Sequence, residues 1–471
     1  MKQVFVIAFN FLFHYSLCQV QIIFSPDSST FAKGEVTNGR KTGTWIVYNT
    51  SSKMPIEAGR YANDKRTGQW TSYYPNGDVR AQLAYEFDLP QGDFIELYEG
   101  GYLKTTGQYD NGLPEGRWRN YHLNSLLESE YYYEMGELTG AHKAFSRTGN
   151  LFITANYRSD LLHGLWNEYY DTGEIYERGF YLNGEKDSTW VSLDPYGDTL
   201  SLKNYNLGTP VGTWEEYAPT GILKRRIYYR AGLEDSLYFE NYDNGRAKVR
   251  GSFESGEKVN TWSFYFDNGM LESQGNFQNN LKEGLWRSFT RNGYLVDEGN
   301  YSKGLQTGQW YYYYGNGQLS SIGSFIKGKE DGLWGLFHTT GLLMQEEEWK
   351  MGKLINVSDY VSILGDTLSA GTLKNGSGLK IDYYPSGALN IECEFSEGVP
   401  NGNWTYYYDN GKVAEEGKFK DGLREGSWRY YYSNGKIESS GNYEKDKKIS
   451  IWIYYSRRGD ILDKINEFRK E

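Results

Sequence analysis

Apolar and aromatic residues recur along this chain in short alternating runs, broken by glycine-containing turns. The stretch Gly402 to Trp428, GNWTYYYDNGKVAEEGKFKDGLREGSW, shows the pattern whole. With Trp404 as position 0, Gly402 lies at −2, Tyr407 and Tyr408 at +3 and +4, and Asn410-Gly411 at +6 and +7. Val413 follows at +9, Gly417 at +13 and Phe419 at +15, and Trp428 restarts the pattern at +24. An Asn-Gly pair between runs of aromatic and β-branched residues predicts a β-hairpin whose two turn residues both take positive φ. A two-residue turn there pairs Trp404 with Gly417 and Gly402 with Phe419. Each large ring is then expected to cover the backbone of the glycine opposite it.

The same register runs through the chain. Position 0 is held by Trp45, Trp70, Phe94, Trp118, His142, Trp166, Trp190, Trp214, Tyr238, Trp262, Trp286, Trp310, Trp334, Ser358, Lys380, Trp404, Trp428 and Trp452. The step is 24 residues, except 25 at the first and 22 between Ser358 and Lys380. Thirteen of the 14 tryptophans fall on this position, and Trp349 takes the +15 aromatic slot instead. Repetition at this period outweighs any prior on domain number drawn from length. Links such as Gly304 to Gly308 and Gly422 to Gly426 read as turns at the opposite edge. One hairpin buries too little to stand alone, but stacked hairpins stabilise one another. The expected fold is all-β: an elongated, twisted antiparallel sheet of about eighteen tandem 24-residue hairpins.

Two stretches weaken the pattern, 187–208 and 355–379. Both carry Gly-Asp-Thr-Leu at the turn, and both lose the +13 glycine or the register aromatic. A bend, a subdomain boundary or a partner-docking irregularity fits each, and a bend is favoured because it needs no partner. Residues 41–460 form the array, 19–40 cap its start, and 461–471 close it, with a short helix expected over 460–471.

Composition agrees with a sheet rich in aromatic faces and tight turns: 17% aromatic residues, 44 Tyr and 56 Gly against 10 Pro. Such a chain is too aromatic to be disordered and, at a mean hydropathy of −0.70, too polar for one large core. The net charge of −11 argues against nucleic acid and anionic membranes as partners. Residues 1–18 differ from the rest: Lys2, an apolar run from Val4 to Tyr15, then Ser16-Leu17-Cys18. They predict a cleaved secretory signal peptide and an exported protein, periplasmic or extracellular. A buried N-terminal strand and a lipid anchor on Cys18 are the alternatives. Cleavage after Cys18 leaves Cys393 alone, in a +13 glycine position, where it reads as a small packing residue.

The consensus W-x-x-Y-Y-x-N-G-x-L-x-x-x-G-x-Y-x-x-G-x-x-x-G-x-W resembles the MORN-repeat variant. Leu162-His163-Gly164-Leu165-Trp166 and Glu283-Gly284-Leu285-Trp286 lie close to that pattern. The resemblance covers about residues 41–460 and implies an antiparallel sheet of hairpins. Bacterial proteins of this kind include the YwqK-type antitoxin-like family, so the resemblance also implies a toxin–antitoxin role as one possibility.

No constellation points to catalysis, and no cofactor is expected. His14, His122, His142, His163 and His338 form no metal-ligand spacing, and one mature cysteine excludes thiolate zinc sites. No GxSxG elbow or phosphate-binding loop occurs. Glu346-Glu347-Glu348 and Glu415-Glu416 lie on strands, where neighbours point to opposite faces. The residues singled out are therefore the repeat positions Trp70, Trp166, Trp286, Trp310, Trp404, Trp428, Gly417 and Phe419. Tyrosine rows such as Tyr131–Tyr133, Tyr311–Tyr314, Tyr406–Tyr408 and Tyr430–Tyr432 supply contact area at low entropic cost. The leading expectation is a non-enzymatic exported scaffold that binds a protein partner along a Tyr/Trp-rich ribbon. A glycan- or envelope-binding module and a toxin-neutralising protein are the other two.

Overall fold

In the computed structural model, which describes residues 19–467, the chain is antiparallel β-structure almost throughout. One sheet has 31 strands and a second has eight, from Gly378 to Asn466. A two-stranded ribbon, Tyr360–Val361 with Thr367–Leu368, stands between them in sequence. Contacts divide the chain into two units, Met1–Leu223 with Tyr229–Gly232 and Lys224–Tyr228 with Leu233–Glu471.

In the second unit, strand Leu305–Tyr313 shows how a repeat is built. It pairs with Leu319–Ile326 through Gly308↔Phe325 and Trp310↔Gly323. The equivalent pairs Trp404↔Gly417 and Gly402↔Phe419 match the expected register. The turn that sets them does not. Tyr408 N–H donates to the Lys412 carbonyl and Gly411 N–H to the Tyr408 carbonyl, so the loop has three residues, Asp409-Asn410-Gly411. Only Gly411 is left-handed, at φ 76°. The ladder would slip by one residue, but a bulge between Tyr406 and Tyr407 takes up the difference. Asn410 holds its place for another reason. Its Oδ1 accepts the Lys412 N–H at 3.1 Å, and its Nδ2 donates to the Ser433 carbonyl of the next loop at 3.0 Å.

The two-residue turn with both φ positive sits at the other edge, as at Asp421-Gly422 (51° and 83°). The second glycine of each Gly-x-x-x-Gly link is not part of that turn. Gly308, at φ 62°, lies in a bulge: pairing steps from Gly299↔Trp310 to Asn300↔Thr307, leaving Gly308 and Gln309 over. Asn260, Ser188, Ser236 and Ser450 hold the same position with φ between 59° and 65°, so the bulge demands a left-handed residue rather than glycine itself.

The C-terminal end differs from expectation, and the other end and the two weak stretches are built as follows. Residues 19–40 contribute strands Gln19–Phe24 and Thr30–Thr37, which extend the ladder onto Arg40–Asn49. The expected terminal helix is a strand instead: Ile461–Asn466 pairs with Lys447–Tyr455, because its alternating Ile461, Asp463 and Ile465 suit a strand and extend an open edge. Residues 187–208 form a regularly paired hairpin, from Ser188↔Tyr205 to Leu193↔Thr199. Residues 355–379 interrupt the ladder. There Leu354, Tyr360, Ala370 and Leu373 are buried, and Lys380 replaces the register tryptophan. Its ammonium lies 2.8 Å from Glu347 and 3.0 Å from Asp382. The signal peptide expected over residues 1–18, Cys18 included, lies outside the described residues.

Candidate interaction surface

The singled-out tryptophans form an internal spine. Trp70, Trp286, Trp310 and Trp428 are all buried. Each lies on the glycine eleven positions before it, in the preceding repeat. A Cβ on Gly59, Gly275, Gly299 or Gly417 would come within 2.2–2.3 Å of the rings of Trp70, Trp286, Trp310 and Trp428, respectively. This corrects the expected reciprocal clamp. Trp404 is the Cα partner of Gly417, but the ring against Gly417 belongs to Trp428. A Cβ on Gly402 would meet Glu394 rather than Phe419. Phe419 instead packs between Trp404 and Trp428, with centroids 5.2 and 5.3 Å away.

The glycine rule explains which tryptophans are only half-buried. Trp166, Trp214 and Trp404 meet Ala155, Lys203 and Cys393 at the position where buried tryptophans meet glycine. Most rings also turn their indole N–H to the carbonyl ten residues earlier, as Trp310 does to Asn300 at 3.1 Å and Trp428 to Lys418 at 3.2 Å. That bond satisfies a carbonyl beside the bulge. Trp404 donates instead to Glu415 at 3.2 Å. Burial pushes the Cys393 thiol up to about 12.

Sequence reasoning missed the cations that cover the spine. Lys186, Lys258, Lys282 and Lys448 place their ammonium groups 3.6–4.5 Å from the ring centroid of the tryptophan four residues on. Arg66 does the same on Trp70 at 4.2 Å. The signal was legible as a Lys or Arg at −4, stacked for cation–π attraction.

Many tyrosines in the rows are also tied down. At +4, Tyr74, Tyr170, Tyr314 and Tyr432 donate their hydroxyls to a carbonyl 23 residues on, at 2.7–2.9 Å. His122 and His338 replace this tyrosine and bond through Nε2 to the Phe145 and Val361 carbonyls, at 3.1 and 2.7 Å. A carbonyl only accepts, so Nε2 carries the proton in both. At +3, Tyr407 donates to Glu392 at 2.7 Å, and burial with that carboxylate pushes its phenol up to about 12. His142, packed against Tyr157 at 5.7 Å, leaves Nδ1 without a partner, and burial lowers its pKa.

The face opposite the tryptophans carries positions −1, +1, +3 and +12. In the second unit it shows ion pairs such as Arg287–Glu298 (2.9 Å) and Arg429–Glu416 (3.2 Å). The same face carries exposed leucines at −1: Leu237, Leu285 and Leu333 are 59%, 42% and 61% exposed. Leu165 holds the same position in the first unit, at 66%. Equivalent shallow hollows open on this face in both units. One of about 340 Å³ is lined by Asp93, Thr106, Gln108, Arg117 and Arg119, and one of about 320 Å³ by Asn403, Thr405, Glu416, Lys418 and Arg429. A larger cavity, about 720 Å³, lies in the first unit among Tyr98, Tyr102, His122, Leu123, Asn124, Glu128 and Arg147. Among the described residues no group of three or more His, Cys, Asp or Glu side chains is placed to hold a metal ion.

The tandem hairpins and the ring contacts that recur between them define a β-hairpin repeat protein. Seven segments, residues 66–86, 162–183, 210–231, 258–279, 306–327, 400–421 and 424–445, match the family described as the MORN repeat variant, and the chain carries repeats of that family. No curated protein matches the chain. Among solved structures it is similar to the one titled "Crystal Structure of TcdB2-TccC3 without hypervariable C-terminal region". Identity there is 12% over 95% of this chain and 30% of the other, with a TM-score of 0.13. "Crystal Structure of TcdB2-TccC3" gives 12% over the same shares, with a TM-score of 0.11. The chain spans 30% of the length of these chains. At such scores the likeness carries no argument about fold or function.

Proposed function

We propose that this protein is an exported, non-enzymatic repeat scaffold that binds another protein along the face of its sheet opposite the tryptophan spine. The observation that carries the reading is the return of an exposed leucine at −1 in alternate repeats, Leu237, Leu285 and Leu333, on the face that also carries Arg–Glu pairs. Apolar side chains set singly within a polar surface give a protein partner anchor points at a two-repeat spacing. The buried tryptophans take no part in that contact, so the Tyr/Trp-rich ribbon expected from sequence narrows to leucines with the more exposed tyrosines. The leader pattern in residues 1–18 supports export, and the net charge of −11 supports a protein partner over nucleic acid or an anionic membrane.

The test is affinity capture from envelope and secreted extracts with residues 19–471, beside a Leu285→Glu/Leu333→Glu variant of the same chain. The expected result is one dominant stoichiometric protein that the double variant fails to recover. A toxin in that role would select the antitoxin reading, and recovery of polysaccharide alone would select the envelope-binding one. Equal recovery by both chains would remove the leucine face from the reading.

A further inference from the structure

A cavity opens in the first unit beside position +4, whose residue varies from repeat to repeat. Tyr74, Tyr98 and Tyr170 hold position +4 in their repeats, each bonded by its hydroxyl to the next hairpin. His122 and Ser146 take that position in the two repeats between Tyr98 and Tyr170. The cavity of about 720 Å³ lies beside His122, within the range of about 300–1,000 Å³ usual for small-ligand sites.

Its walls divide into groups already satisfied and groups still open. Tyr98 donates its hydroxyl to the Tyr121 carbonyl at 3.0 Å, so it offers a ligand its ring and an acceptor oxygen. Asn124 spends Nδ2 on the Arg147 carbonyl at 2.8 Å and Oδ1 on the Leu126 N–H at 3.2 Å. His122 spends Nε2 on the Phe145 carbonyl, and its Nδ1 lies 3.8 Å from Glu128. Three groups remain open: the Glu128 carboxylate, the Arg147 guanidinium and Tyr102, which is 55% exposed. Among the described residues Arg147 makes no ion pair.

We propose that this cavity binds a neutral saccharide. An anion would meet Glu128 and a cation would meet Arg147, so a simple ion satisfies one at the expense of the other. Hydroxyl groups both donate and accept, and neighbouring ones on a sugar ring satisfy the carboxylate and the guanidinium together. Tyr98, Tyr102 and Leu123 supply the apolar wall against which the C–H face of the ring packs. The inference is independent of the scaffold reading, because the leucines invoked there do not line this cavity.

The experiment is calorimetric titration of residues 19–471 with glucose, galactose, N-acetylglucosamine and cellobiose, each up to about 10 mM, a ceiling just above the weakest affinities of interest. At least one sugar is expected to bind. Tyr102→Ala and Arg147→Ala should each weaken it about tenfold, as loss of a central contact does. Tyr196→Ala, at a residue 92% exposed in the same unit, should leave it unchanged. Melting curves of all three variants confirm folding. No binding by any of the four sugars would overturn the proposal. So would binding indifferent to Tyr102 and Arg147, or heat released by free glycine or arginine and by no sugar.

Discussion

The indole of Trp428 lies against Gly417, eleven residues earlier and in the preceding repeat, so closely that a Cβ there would fall 2.3 Å from the ring. The contact joins one hairpin to the next, and its recurrence turns a row of marginal hairpins into a stable sheet.

Gly417→Val should therefore destabilise the second unit by about 1–3 kcal/mol, the usual cost of overpacking. Gly417 has an ordinary backbone conformation, so the whole effect is steric. In urea unfolding, adding Trp428→Ala should make the valine nearly neutral, whereas Trp404→Ala should not. The reverse pattern would return the contact to Trp404.

Gly426 tests conformation alone. Its φ is 70° and a Cβ added there would meet no atom within 4 Å, so Gly426→Val should cost about 1–2 kcal/mol through left-handed strain. Gly426→Asn should cost much less, since Asn260 occupies the equivalent bulge at φ 59°. Equal melting temperatures for the two variants would contradict the bulge assignment.

The tyrosine staple can be removed without changing shape. Tyr432→Phe deletes the 2.7 Å bond to the Tyr455 carbonyl and should lower stability by about 1 kcal/mol. Amide exchange should quicken first in strands Lys447–Tyr455 and Ile461–Asn466. Uniform exchange along the chain would argue that the staple is incidental.

Lys380 is held between Glu347 and Asp382 with little solvent contact. Burial alone would lower its pKa, but the two carboxylates outweigh burial and raise it above the usual 10.5. A raised folded pKa contributes stability that is complete below the unfolded value and is lost as pH climbs through the folded one. Alkaline unfolding above about pH 10.5 should begin around residues 347–382. Lys380→Met should cost about 3–5 kcal/mol by leaving Glu347 buried and unpaired. A smaller loss in guanidinium titration would mean that water reaches the carboxylate.

Cys393 is 1% exposed, and burial pushes its thiol up to about 12. A thiol reagent at pH 8 should leave it untouched in the native chain and label it fully after denaturation. Rapid native labelling would show that the 355–379 region opens.

The period of 24 residues, the all-β class and the far register of each hairpin were legible in sequence, because an aromatic, a glycine and a turn recur at fixed offsets and strand geometry allows few ways to pair them. Trp404↔Gly417 was found for a partly wrong reason: the three-residue loop and the bulge shift the register by one residue each, and the shifts cancel. Asn410 and Gly308 were misjudged because composition marks a glycine or asparagine as special without saying whether a turn, a bulge or a neighbouring loop requires it. The sequence by itself determined that tryptophan and glycine alternate on one face. Which tryptophan meets which glycine was decided only in the tertiary structure, since the sheet sets Trp428 on the glycine of the hairpin before it. The cavity beside His122 was likewise invisible in the chain. Its lining residues are spread from Tyr98 to Arg147 and come together only when the hairpins stack.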